Sequence, residues 1–480
     1  MIFKLRSSAR LPLAALALAA VSVLGACSSD SGGDTDCIPG VDPGCEIPAG
    51  TGELAGTISA DRTLYAETTY VLKGYVKVAS GATLTIRPGT RIVGDTTVAG
   101  SSLFVLRGAR LMAEGTAAQP IVFTSQRAAS NRKPGDWGGL VIIGNGIINR
   151  GAANILTEGP AEAAQNYAGG NNNSDNSGSL RYVRIEFAGY DVTGTGQELN
   201  SLSSYAVGRG TRYEYIQTVA GLDDSFEWWG GAVDGRYLLS YESGDDHFDW
   251  TEGYQGRNQF LIAFQNTRLD PRPGTGTNSS DPRGFEGDGC DPAVSGCTLT
   301  ADTTSTPFSN PVFANFTAIG YPATPATEGN GMVLRRGTAG SFYNGVVARW
   351  KATGLNIRDA FTNKNRANGR LDIKSLVFAE NGGNYDPEAG AFFGKASNFT
   401  TAGNREAAGA ASALFVSLST STPDWTPSAA SILATGATNV PADRVAGFTP
   451  GAWTNTTYVG AVDPSGANKW WQGWTVFVTN

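Results

Sequence analysis

Short runs in which apolar residues alternate with polar or small ones recur along the chain from Leu54 onward, and turn residues separate them. Tyr75–Val78, Leu84–Ile86, Leu103–Leu106, Ile121–Phe123 and Leu140–Ile143 are of this kind, as are Tyr182–Phe187 and Gln259–Phe264. The pattern returns at Val312–Ile319, Met332–Arg335, Tyr343–Trp350, Leu355–Ile357 and Leu371–Phe378. Alternation over about five residues predicts strands, and breaks such as Ala79-Ser80-Gly81 and Pro88-Gly89 predict corners. Helical periodicity is nearly absent; the Ala-rich stretch Ala407–Phe415 is the one expected short helix. Residues 158–179 and 270–310 break the alternation and are expected to be irregular, the first as a loop leaving the sheet.

The alternation is also periodic on a longer scale. Moved by 22 residues, the stretch Gly221–Gly231 falls on its successor. Asp223 then meets Asp245, Asp224 meets Asp246, Phe226 meets Phe248, Glu227 meets Asp249, Trp228 meets Trp250 and Gly231 meets Gly253. A repeat of this length in a strand-rich chain is the mark of a solenoid whose coils stack on one another. The expected fold is an all-β, right-handed parallel β-helix with loop excursions and a capped C-terminal end. Equivalent residues on neighbouring coils would lie about 4.8 Å apart. Phe226 over Phe248 and Trp228 over Trp250 would stack inward, and Glu227 and Asp249 would face outward.

Composition adds an address and excludes some partners. The chain holds 63 glycines and a formal charge of −7, which becomes −10 once Lys4, Arg6 and Arg10 leave with a leader. That balance argues against nucleic acid. Basic Lys4–Arg10, apolar Leu11–Val23 and Leu24-Gly25-Ala26-Cys27 form a lipoprotein-type secretion signal. Residues 1–26 are read as the signal, 27–52 as a tether from lipidated Cys27, 53–440 as the β-helix and 441–480 as an aromatic cap. The implied location is the outer membrane, lipid-anchored and facing the cell surface. The remaining cysteines fall into local pairs, Cys37 with Cys45 and Cys290 with Cys297, as expected of short-loop disulfides in an oxidising compartment. His247 is the one histidine, so a histidine-based metal cluster is excluded.

Several segments together resemble a group of bacterial surface lipoproteins built on a right-handed parallel β-helix. They are Gly135-Asp136-Trp137-Gly138-Gly139, Leu222–Gly231, Gly244–Asp249, Asn315–Gly320, Leu334–Thr338 and the ending Tyr458–Thr475. That resemblance implies fold and address but no reaction. Gly244-Asp245-Asp246, followed by His247, is also similar to the Asp-Asp fragment of polygalacturonase-type β-helix enzymes. The chain lacks their Gly-His-Gly and Arg-Ile-Lys segments.

The stacked acids are the candidate site. Two carboxylates one coil apart repel by about 1 kcal/mol in water and by more where water is excluded. Asp223, Asp224, Asp245 and Asp246, joined by Glu227 or Asp249, could hold calcium, which takes several carboxylate oxygens. Arg268 or Arg236 could instead neutralise them as part of the scaffold. A catalytic pair drawn from Asp223, Asp224, Asp245 and Asp246, tuned by His247, would make the protein a polysaccharide hydrolase or lyase. Trp229, Glu227, Asp249 and Arg268 could line a non-catalytic glycan groove. The expected function is a surface-anchored lipoprotein that binds a glycan on a cation-stabilised β-helix. The alternatives are a polysaccharide-degrading enzyme and a partner or adhesion subunit of an outer-membrane transporter. The tryptophans of the ending are read as a cap, with a sugar-stacking platform as the rival.

Overall fold

The computed structural model describes residues 49–194, 196–300, 305–321, 329–385 and 402–478. The leader, the tether up to residue 48 and Cys27, Cys37 and Cys45 lie outside the described residues. No helix among those described is long and apolar enough to cross a membrane.

Parallel strands wind into a β-helix with three faces. One face carries Ser102–Val105, Gly139–Ile143, Leu202–Tyr205, Phe226–Trp229, Phe248–Thr251, Arg283–Asp288, Asn330–Arg335 and Leu355–Ile357, each hydrogen-bonded to the next. The long strands Gly178–Glu186, Arg212–Gly221, Asp234–Ser243, Arg257–Phe264 and Val312–Ile319 bend and supply the two other faces. The bend occurs at one residue per coil: Tyr182, Tyr215, Tyr237, Phe260 and Asn315 all have φ between 49° and 64°. A left-handed residue between two extended segments turns the chain without a loop. The same device at Asn344 (φ 57°) and Ser375 (φ 55°) splits the expected strands Tyr343–Trp350 and Leu371–Phe378. What forms is Gly340–Tyr343 with Val346–Ala348, and Leu371–Lys374 with Val377–Ala379.

The bore is filled by the inward residues of the alternation, including Leu84, Leu111, Leu180, Ile216, Phe226, Leu238, Phe248 and Phe285. Phe226 stacks on Phe248 with centroids 5.4 Å apart, as the 22-residue register requires. Trp228 pairs with Trp250 along the strands, but its ring stacks on Tyr254 at 5.2 Å, while Trp250 packs against Phe313 and Phe342.

The region expected to be irregular from 270 to 310 contains the strand Arg283–Asp288, which joins the first face. The expected helix at Ala407–Phe415 contracts to the 3-10 turn Ala411–Leu414, which buries Ala411 and Leu414. A helix forms instead at Ala360–Ala367, where the Asp359 side chain accepts from Thr362 N.

The aromatic ending runs along the flank of the coil stack. An outward column of rings, Tyr182, Tyr215 and Tyr237, stacks there at 4.4 and 4.5 Å and needs covering. Trp474 meets Tyr182 and Tyr215 edge-on, and Trp470 leans on Tyr237. Side-chain amides clamp the strap's backbone: Gln217 exchanges two hydrogen bonds with Val476, Gln259 two with Thr454, and Asn344 two with Thr438. Trp470, Trp471 and Trp474 are all buried.

Candidate functional site

On the first face, the outward residue of successive coils is Ser203, Glu227, Asp249, Glu286 and then Val333. Alternation that buries Phe226, Phe248 and Phe285 places their neighbours Glu227, Asp249 and Glu286 in one outward row. Just before each strand lies a corner, and there the aspartate doublets stack. Asp224 Oδ1 accepts a 2.8 Å bond from Asp246 N, so the doublets are adjacent as the repeat predicts. Gly244 allows this close passage, because a Cβ there would lie 1.7 Å from Leu222 O. Gly287 likewise sits where a Cβ would strike the Trp250 indole at 2.1 Å.

The carboxylates form three overlapping triads, each with oxygens within 4.8 Å of one another. They are Asp223, Asp224 and Asp245; Asp224, Glu227 and Asp249; and Asp246, Asp249 and Glu286. Asp246 is 1% exposed. Asp245 Oδ1, Asp246 Oδ1 and Asp249 Oδ1 are sealed from solvent and accept no hydrogen bond. Burial, followed by mutual repulsion, holds Asp223, Asp224, Glu227, Asp246 and Asp249 well above the usual carboxylate range. Burial pushes Asp245 up to about 7 and Glu286 up to about 8. These directions mark groups in need of protons or cations.

Arginines answer one end of the row. Arg283 pairs with Asp246 at 3.2 Å, Asp281 at 2.7 Å and Glu286 at 2.5 Å. Arg335 pairs with Glu286 and Asp288, both at 2.7 Å. Arg268, one of the two arginines expected to neutralise the doublets, is exposed in the loop after Arg257–Phe264, and the arginine paired with Asp246 is Arg283. Arg236 is on another face, where it donates to Ala452 O and Thr454 Oγ1 of the strap.

The row opens into a cleft of about 430 Å³. Glu227, Asp249, Glu286 and Trp229 form its floor; Glu158 and Tyr167 come from the excursion loop, and Asp291 and Val294 from the loop closed by the Cys290–Cys297 disulfide. The segment leading from the strand end at Ile143 into the excursion loop touches the disulfide loop, with Arg150 Nε donating to Ser295 O and Gly151 N to Gly296 O. Glu252 accepts from Tyr167 Oη at 2.9 Å and pairs with Arg150 at 3.1 Å. Burial and the nearby Glu198 raise Glu158 to about 8. One face of Trp229 is covered by Tyr205, stacked at 4.0 Å, so Trp229 presents little beyond its edge.

His247 lies outside the cleft. It is 1% exposed, bonds Ser240 Oγ through Nδ1 and meets Trp350 edge-on in the bore. Burial lowers it to about 3, so it is neutral at ordinary pH. The corner between two faces does not obey strand alternation, which is why His247 and Phe248 both point inward.

Sequence reasoning did not single out Glu286, Asp288, Glu158, Glu252, Arg150, Arg283 or Arg335 as site residues. For Glu286 a signal existed: Phe285-Glu286 repeats the aromatic–acid dipeptides Phe226-Glu227 and Phe248-Asp249, displaced by an insertion.

Fold and site together define a parallel β-helix with an acid-floored cleft on one face. The chain belongs to the family described as pectate-lyase-like β-helix domain, whose model matches residues 56–429. This agrees with the similarity to polygalacturonase-type β-helices and points to carbohydrate-related binding or activity. Comparisons with curated proteins and with solved structures give no match.

Proposed function

We propose that the protein binds a carbohydrate in this cleft and that a divalent cation held by the acid row completes the binding surface. The observation that carries the reading is the set of sealed, unpartnered oxygens on Asp245, Asp246 and Asp249 within a row of mutually repelling carboxylates. Leaving such groups bare costs several kcal/mol each, roughly, and a cation removes that cost. An all-oxygen donor set of carboxylates favours a hard ion, and calcium accepts its irregular geometry. The Trp229 edge and the guanidinium groups of Arg150, Arg335 and Arg336 around the acids supply the contacts and donors that hydroxyl-rich ligands use. The Cys27 signal would tether this body at the outer membrane.

Affinity electrophoresis through gels carrying defined neutral and uronate polysaccharides tests the reading. Retardation by at least one polysaccharide is expected with calcium, and it should fall in EDTA and in Trp229→Ala. Equal mobility in every gel, with and without calcium, would refute it.

A further inference from the structure

We infer that the acid row is built for two divalent cations sharing the Asp224 carboxylate, with the Arg283 guanidinium standing where a third would be. The inference rests on the cation reading above and adds number, position and a division of labour.

The register supplies the first argument. Phe226, Phe248 and Phe285 occupy one position on successive coils. Counting two residues back from each gives Asp224, Asp246 and Arg283. The corner that twice presents an aspartate therefore presents a guanidinium on the third coil. Arg283 reaches Asp246 and Glu286, and Arg335 closes on Glu286 from the other side. Two of the three acids in the Asp246, Asp249 and Glu286 triad thus already have a cation of the protein's own.

The other triads have no guanidinium in ion-pair contact; Asp245 has only a hydrogen bond from Ser279 and the more distant field of Arg283, and Asp249 that of Arg335. Around Glu227 the polar neighbour is the neutral amide of Asn200, donating at 2.5 Å. Among the described residues no ion pair is formed by Asp223, Asp224, Glu227, Asp245 or Asp249. Each of the two triads includes a sealed oxygen without a hydrogen bond, Asp245 Oδ1 in one and Asp249 Oδ1 in the other. Asp224, 6% exposed, belongs to both. Five carboxylates facing two divalent ions leave one net negative charge, close to neutral for a desolvated site. A single shared carboxylate is how paired ions about 4 Å apart are commonly held.

Titration calorimetry of calcium chloride into the full chain, stripped with EDTA and dialysed, decides the matter. Wild type should take up two ions per chain. Asp223→Asn and Glu227→Gln should each leave one, whereas Glu286→Gln, at the arginine-neutralised end, should leave both. Asp224→Asn should weaken both by about tenfold or more, since it removes a charge from each. A circular dichroism spectrum checks each fold; should Asp224→Asn fail to fold, Asp223→Asn and Glu227→Gln still decide. One ion per chain in wild type, or an ion lost in Glu286→Gln, would overturn the inference and leave the cation reading standing. No uptake by wild type would overturn both.

Discussion

With no divalent cation bound, the stability of this protein should fall as pH rises, and Asp245 shows by how much. Its carboxyl is raised by burial from 3.8 to about 7 in the folded chain. A folded pKa above the unfolded one means that the folded state binds the proton more tightly. The associated stability is therefore complete below about pH 4 and is lost as pH climbs through 7. At pH 5 the proton still favours the folded chain by about a hundredfold, on the order of 3 kcal/mol, and at pH 8 by essentially nothing. This is an upper figure, because protonating one acid of the row relieves its neighbours. Over the unit Glu46–Asn480, an unfolding entropy of about 2 cal/mol/K per residue amounts to roughly 0.9 kcal/mol/K. Asp245 alone should then lower the melting temperature by about 3 °C between pH 5 and pH 8. Scanning calorimetry in EDTA at the two pH values, on wild type and Asp245→Asn, isolates this share: the variant's pH gap should be smaller by that amount. Calcium at about 100 times its Kd should restore roughly 3 kcal/mol to wild type at pH 8. Identical pH gaps for wild type and variant in EDTA would refute the argument.

Other outcomes follow from the core and the cleft. Trp250→Ala removes a fully buried indole packed on Phe313 and Phe342, and urea unfolding should show a loss of about 3–5 kcal/mol. Gly287→Ala drives a methyl into that indole and should cost about 1–3 kcal/mol in the same assay. Reducing the Cys290–Cys297 disulfide should lower stability by about 2–3 kcal/mol and weaken carbohydrate retention, since its loop carries Asp291 and Val294 into the cleft; unchanged retention would separate that loop from binding. The His247 imidazole should show no NMR titration between pH 5 and 8, and a midpoint near 6 would contradict its burial.

The coil register was legible because two aromatic–acid–Trp stretches recur with nothing inserted between them, so alternation alone set Phe226 and Phe248 inward and Glu227 and Asp249 outward. The third rung was hidden by distance. The insertion after Phe264 displaces Phe285-Glu286, and the run of prolines and glycines from Pro271 to Gly276 masks the strand that follows. The cleft's far wall was harder still. Glu158 and Tyr167 sit in a segment without periodicity, and only tertiary contacts with Tyr205 and Glu252 give them a direction. The corner at His247 misled for a different reason, since corner residues follow the bend and not the pleat.

The strap along the flank changes how such an array comes apart. Coils that touch only their neighbours can peel away one at a time from an end. Here a single returning segment is fastened to Asn344, then Gln259, then the neighbouring pair Arg184 and Gln217, and so spans several rungs of the stack. Stripping a terminal rung must first unfasten a cord that also grips the middle. Fraying thereby becomes an all-or-none event.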